Sequence, residues 1–138
     1  MAPAWTCPRC GRGFARTRQA HECAPAMELE EYFATGPPWE RPVFEAVLAH
    51  VETLGPVTVE PVSVGVFIKG TGSWLELRPL TRWVALSFPF DRRLHDRRIT
   101  RKPVEAGNRL YHYVNLRSAD DVDDQLRDWL TESYLRFG

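Results

Sequence analysis

The chain has 138 residues, 43% of them hydrophobic and 26% charged, enough for one globular domain with a small appendage. No apolar run approaches the ~20 residues that cross a bilayer, and no hydrophobic leader follows the start, so the expected compartment is the cytoplasm. The three cysteines all fall within the first 23 residues, which argues against a disulfide-stapled secreted fold.

Formal net charge is zero, with 18 basic and 18 acidic residues, but the charges are segregated. Residues 1–26 hold four Arg and one Glu, and residues 27–60 one Arg and seven Glu. Residues 61–110 hold ten Lys or Arg and four acids, and residues 111–138 three Arg and six acids. A basic zone attracts anions over about one Debye length, ~10 Å, even on a neutral protein. The alternative is a solvated sheet surface whose arginines pair with the acidic helices.

The first element is a candidate metal site. Cys7-Pro8-Arg9-Cys10-Gly11 and His21-Glu22-Cys23 offer four soft or borderline ligands in a segment too short to fold by burial. Cys7, Cys10, His21 and Cys23 therefore predict one structural zinc ion. Phe14 stands where zinc fingers place a small core aromatic. The His-x-Cys pair departs from the finger pattern and suits a loop, since positions i and i+2 do not share a helical face. A redox Cys-x-x-Cys would need a βαβ setting, which is missing here. Arg9, Arg12, Arg16 and Arg18 surround the site and are candidate phosphate contacts; on the plainer reading they keep a small segment soluble. The segment 1–26 ends at Ala24-Pro25-Ala26, read as a hinge, and 27–138 forms the second unit.

A short helix is expected over 28–34, broken by Gly36-Pro37-Pro38. A second runs over about 39–54 with Val43, Phe44, Val47, Leu48, Val51 and Leu54 on its buried stripe, and Gly55-Pro56 stops it. Val62, Val64, Val66 and Ile68 alternate with Ser63, Gly65, Phe67 and Lys69, predicting a strand. Gly70-Thr71-Gly72 is a turn. Further strands are expected over 73–78, 82–90, 97–104 and 109–117, with Ala106-Gly107-Asn108 turning between the last two. Meander order predicts an antiparallel sheet of four or five strands. A final helix over 119–136 takes Ser118 as N-cap, and Asp120, Asp121, Asp123 and Asp124 complement its dipole. Fold class is therefore α+β, an antiparallel sheet packed against N- and C-terminal helices, plus the small N-terminal finger.

On the last strand Leu110, His112, Val114 and Leu116 share one face, which makes His112 a core histidine. His50 beside the second helix's stripe is read as structural. The opposite sheet face gathers Tyr111, Tyr113 and Asn115 with Phe67, Lys69, Trp74, Arg78 and Trp83. An open face of this kind can stack bases or hold an anion; the alternative is a second, partly covered face on which arginine stems lie.

The stretches 78–86 (RPLTRWVAL) and 111–116 (YHYVNL), the latter running into 119–124 (ADDVDD), resemble a bacterial domain of unknown function, family number 5655, over about residues 32–134. The resemblance implies a compact α+β domain and no established activity, so no functional residue is carried over. The leading expectation is a zinc-binding, non-enzymatic binding module with nucleic acid as first partner and no membrane contact. One rival is a small-molecule binder or enzyme using Lys69, Arg78, Arg82 and His112 in the sheet cleft. Another is a protein-interaction adaptor docking through the finger.

Overall fold

The computed structural model describes residues 4–21, 23, 25 and 27–138; Ala24 and Ala26 of the expected hinge lie outside these. The finger is a hairpin of β1 (Trp5–Thr6) and β2 (Gly13–Phe14). Helices α1 (Leu29–Ala34) and α2 (Glu40–Val51) precede strands β3 (Thr58–Val62), β4 (Gly65–Lys69), β5 (Ser73–Pro79), β6 (Val84–Phe90), β7 (Val104–Ala106) and β8 (Arg109–Leu116). Helix α3 (Asp124–Phe137) closes the chain after a 3₁₀ turn at Ala119–Asp121. The class is the expected α+β. The sheet has six strands rather than four or five, in the order β3-β4-β5-β6-β8-β7, all neighbours antiparallel.

The added strand hides inside a continuous alternation. The chain turns at Ser63 and Val64 and pairs Val62 with Gly65. This turn inverts the pattern, so Val66 and Ile68 face the helices while Val62 is buried outside that core. The meander fails at the other end. The connection 91–103 carries the chain past β8, which pairs with β6, and leaves β7 as an exposed edge. Residues 97–103, expected as strand, are irregular; Pro103 has no N–H to give a ladder. The cap of the last helix also moves. Val122 leaves helical geometry, and the Asp123 carboxylate accepts the Leu126 N–H at 2.9 Å, so Asp123 rather than Ser118 caps α3.

On the inner face, Val43, Phe44, Val47 and Val51 of α2 and Leu126, Trp129 and Leu130 of α3 pack on Val66, Ile68, Leu75, Leu77, Leu86, Phe88 and Val114. A bulge corrects one expectation. Ile68 pairs with Leu75 and Lys69 with Ser73, so Trp74 is the extra residue. Bulged residues break the alternation, and Trp74 turns inward, donating Nε1–H to Ser133 Oγ at 3.0 Å and meeting Tyr134 edge-on. It is therefore absent from the outer face. The α1–α2 corner is held by the buried Tyr32 hydroxyl donating to Glu40, whose carboxyl burial pushes up. A Cβ on Gly36 would lie 2.6 Å from Glu40 Oε1, which is why the tightest point of that corner is glycine.

His50 joins the two long helices, its Nε2 3.0 Å from the Arg127 carbonyl and 2.9 Å from Thr131 Oγ1. His112 is fully buried. Its Nδ1–H donates to the Leu110 carbonyl and its Nε2 accepts the Leu94 N–H, both at 3.0 Å. Burial, with the positive field of Arg93 and His95, holds its imidazolium form down, while the Leu110 bond acts the other way. The folded protein thus binds fewer protons than the unfolded chain below the ordinary histidine range. Stability from His112 is complete above about pH 6.5 and is lost as pH falls. The melting temperature of the native protein should drop more steeply between about pH 7 and 5 than that of His112→Gln. Equal slopes in circular dichroism melts would show that His112 does not carry the effect.

Candidate metal centre and its docking on the sheet

The β1–β2 hairpin positions the first two ligands. Gly11 N–H donates to the Cys7 carbonyl at 2.8 Å and Cys7 N–H to the Arg12 carbonyl at 2.9 Å. The turn needs a left-handed residue, supplied by Gly11 at φ 75°. It brings Cys7 and Cys10 together, and the following loop returns His21 and Cys23 to them. The four donor atoms lie within 4.8 Å of one another. Cys7 Sγ is 3.8 Å from Cys23 Sγ, and Cys10 Sγ is 3.5 Å from His21 Nε2.

The surroundings orient the set for metal. His21 Nδ1–H donates to the Gln19 carbonyl at 2.7 Å, which fixes the tautomer and leaves Nε2 as the ligand atom. Its ring packs on Phe14 at 4.1 Å and on Trp5, so Phe14 is the small core aromatic the sequence suggests. The backbone of Cys10 lowers the Cys7 thiol to about 6, toward the thiolate a metal needs. Three thiolates and one imidazole fit a tetrahedral divalent ion and leave no protein-supplied opening. Among the described residues no second group of metal donors gathers. Three of the four aspartates in 120–124 are engaged otherwise: Asp121 accepts the Arg117 N–H, Asp123 caps α3 and Asp124 pairs with Arg127.

The finger does not stand free. Arg12, only 3% exposed, forms an ion pair with Glu60 of β3 and lies over Phe14 and Phe67. Lys69 of β4 reaches the same Glu60 at 3.1 Å, donates to the Gly13 carbonyl at 3.0 Å and caps the Phe14 ring at 4.2 Å. Gln19 reaches Ser73 at 3.3 Å. Two expected surface cations, Arg12 and Lys69, are therefore sealed in the finger–sheet junction, because Glu60 and Phe67 share the outer face with Lys69. Sequence reading passed over Glu60, because in a continuous alternation it falls on the opposite parity to Phe67, and only the turn at Ser63 and Val64 brings the two to one face.

Residues 29–136 match the family described as Domain of unknown function (DUF5655). The chain belongs to that family. No curated protein and no solved structure matches it. The DUF5655 span takes in the sheet and helices and so contains Glu60 and Lys69; the metal ligands and Arg12 precede it. No helix among the described residues is long and apolar enough to cross a membrane.

The remaining candidates spread over the DUF5655 sheet. Tyr111, Tyr113 and Asn115 are half-buried on the outer face of β8. Arg109, which the strand parity placed beside them, donates to Tyr111 Oη at 3.1 Å. Arg101 lies 4.0 Å over Tyr113 and Arg117 5.5 Å over Trp83; no local signal in the sequence gave either contact. Arg78 pairs with Glu76, and Arg82 is exposed in the β5–β6 turn. Lys69, Tyr111, and Trp83 with Asn115 line three separate grooves, and His112 is sealed in the core. The single cleft that a small-molecule site would need from Lys69, Arg78, Arg82 and His112 is not assembled.

Removing one partner of a buried ion pair costs about 3–5 kcal/mol. Glu60→Ala leaves Arg12 and Lys69 facing each other, so urea denaturation should show a loss near that range. Limited proteolysis should cut the finger faster in Glu60→Ala than in the native protein. A near-neutral variant with unchanged cleavage would mean the network does not hold the finger.

Proposed function

We propose that Cys7, Cys10, His21 and Cys23 hold one structural zinc ion, and that the chain is a non-catalytic binding protein for single-stranded nucleic acid. The metal reading is carried by the donor separations. A tetrahedron with Zn–S bonds of ~2.3 Å and a Zn–N bond of ~2.05 Å has S–S and S–N edges of ~3.8 and ~3.5 Å. The Cys7–Cys23 and Cys10–His21 distances are 3.8 Å and 3.5 Å. Four protein ligands leave no coordination position for substrate, which makes the ion structural rather than catalytic.

The nucleic-acid reading is supported by what remains exposed. Arg9, Arg16 and Arg18 stay on the finger surface. A groove of about 550 Å³ between the finger and the β7–β8 hairpin is lined by Arg16, Gln19, Arg109 and Tyr111, among others. Tyr113 beneath Arg101 continues that line along β8. Arginines that follow a backbone, with aromatic faces between them, bind single strands without reading sequence, and each stacked base contributes about 1–3 kcal/mol. The charge belongs to the chain's own basic segments and needs no catalytic group.

Elemental analysis should find about one zinc per chain, and chelation should expose the finger to protease and weaken its seat on Glu60. A metal-free protein carrying a Cys7–Cys10 disulfide would defeat the zinc reading. Fluorescence anisotropy with a labelled single-stranded DNA or RNA should show salt-dependent binding. Arg16→Ala with Tyr113→Ala should weaken it about tenfold or more. Absence of binding at low salt ends the nucleic-acid reading.

A further inference from the structure

The connection 91–103 and the end of β8 enclose a groove of about 370 Å³, whose wall includes Trp83, Arg97, Thr100, Asn115, Arg117 and Asp121. Charge pairing around it is uneven. Arg98 is saturated, bonded to Asp96 and Asp123 and to the Asp121 carbonyl. Arg97 and Arg117 form no salt bridge among the described residues, though Arg97 is near enough to Asp96 to help hold its carboxyl down, and Arg93, Arg101 and Lys102 along an adjoining groove form none either. Other exposed arginines divide: Arg41 pairs with Glu30 and Glu45, Arg92 with Glu132 and Arg127 with Asp124, while Arg9, Arg16, Arg18 and Arg82 form no ion pair among the described residues. The molecule has equal numbers of acids and bases, so this local excess of like charge reflects placement rather than supply. Such a cluster is relieved by an anion.

The uncharged groups point the same way. Asn115 Nδ2–H donates to Thr100 Oγ1 at 3.1 Å, so the Thr100 hydroxyl still has its own hydrogen to give. Trp83 Nε1 is buried without a hydrogen-bond partner, and an orphaned buried donor costs about 1–3 kcal/mol. The opposing acceptor, the Asp121 carboxylate, receives the Arg117 backbone N–H at 2.8 Å. The groove therefore offers guanidinium and hydroxyl donors against one carboxylate already in use, with the Trp83 ring in its wall. Paired guanidinium forks match the oxygens of a phosphate.

We infer that this groove is a phosphate seat, formed by Arg97, Arg117 and Thr100 against the Trp83 ring, for the phosphate of a nucleotide, whether free or part of a strand. Only the strand as source rests on the nucleic-acid reading above; the donor chemistry does not. Arg117 lies over the Trp83 ring, so an anion drawn to Arg117 must alter the environment of the indole N–H.

The test is an NMR titration of the full, zinc-loaded chain with inorganic phosphate, AMP and a 5′-phosphorylated oligonucleotide, following the Trp83 indole resonance assigned by Trp83→Phe. Saturable shifts are expected with phosphate and AMP. The double variant Arg97→Ala/Arg117→Ala should weaken them about tenfold or more, and both side chains are exposed, so the fold should persist. Asp121→Asn should strengthen binding a few-fold, about what removal of one nearby like charge gives. No saturation with phosphate or AMP, or shifts unchanged in the double variant, overturns the seat. Oligonucleotide binding that leaves Trp83 unmoved while phosphate and AMP shift it supports the seat for a free nucleotide, removes the strand as its source and spares the nucleic-acid reading. Phosphate and AMP binding without oligonucleotide binding supports the seat and removes the strand as its source.

Discussion

The architecture turns on one partly buried carboxylate. Glu60 lies between Arg12 of the finger and Lys69 of the sheet, and both cations rest against Phe14 or Phe67. Screening is weak where water is excluded, so these contacts act at far shorter effective dielectric distance than a surface pair would. They convert a segment that could have been a tethered tag into a cover for one half of the outer sheet face. The metal donors are therefore linked to the body through Arg12, five residues after Cys7. Whatever closes the Cys/His loop also settles whether Glu60 has Arg12 beside it in addition to Lys69.

That docking divides the sheet. The inner face is a continuous apolar layer beneath α2 and α3, completed by the neutral His112 and the inward Trp74. The outer face is split: β3 and β4 are sealed by the finger, while β8 presents Tyr111, Tyr113 and Asn115 beside Arg109 and Arg101. A basic and aromatic face thus survives only on the far half. It begins at the exposed arginines of the finger and ends at the groove holding Trp83 and Arg117.

Charge segregation has two different outcomes in the same molecule. Arg41, Arg92, Arg98 and Arg127 pair with acids of the helices and loops, as a solvated-surface reading of the basic middle would have it. Arg97, Arg101 and Lys102 form no salt bridge among the described residues. The difference lies within the connection 91–103, where Arg92 and Arg98 reach Glu132 and Asp123 at α3 while Arg101 turns to Tyr113 of β8. Pairing is decided by that path, not by composition.

Sequence alone picked out the Cys/His cluster, because the spacing of Cys7, Cys10, His21 and Cys23 lets one short loop gather them, and it determined the inner core, because helical and strand periodicities mark their buried sides directly. It also made His112 a core residue by parity. It did not reveal the turn at Ser63 and Val64, the bulge at Trp74 or the passage of β7 outside β8, since each breaks an alternation without changing residue character. Those three features set the strand number, took Trp74 off the outer face and made the edge. The fate of Arg12 and Lys69 likewise belonged to the tertiary structure. A cation next to a finger and a cation on a strand look exposed until the fold places one carboxylate between them.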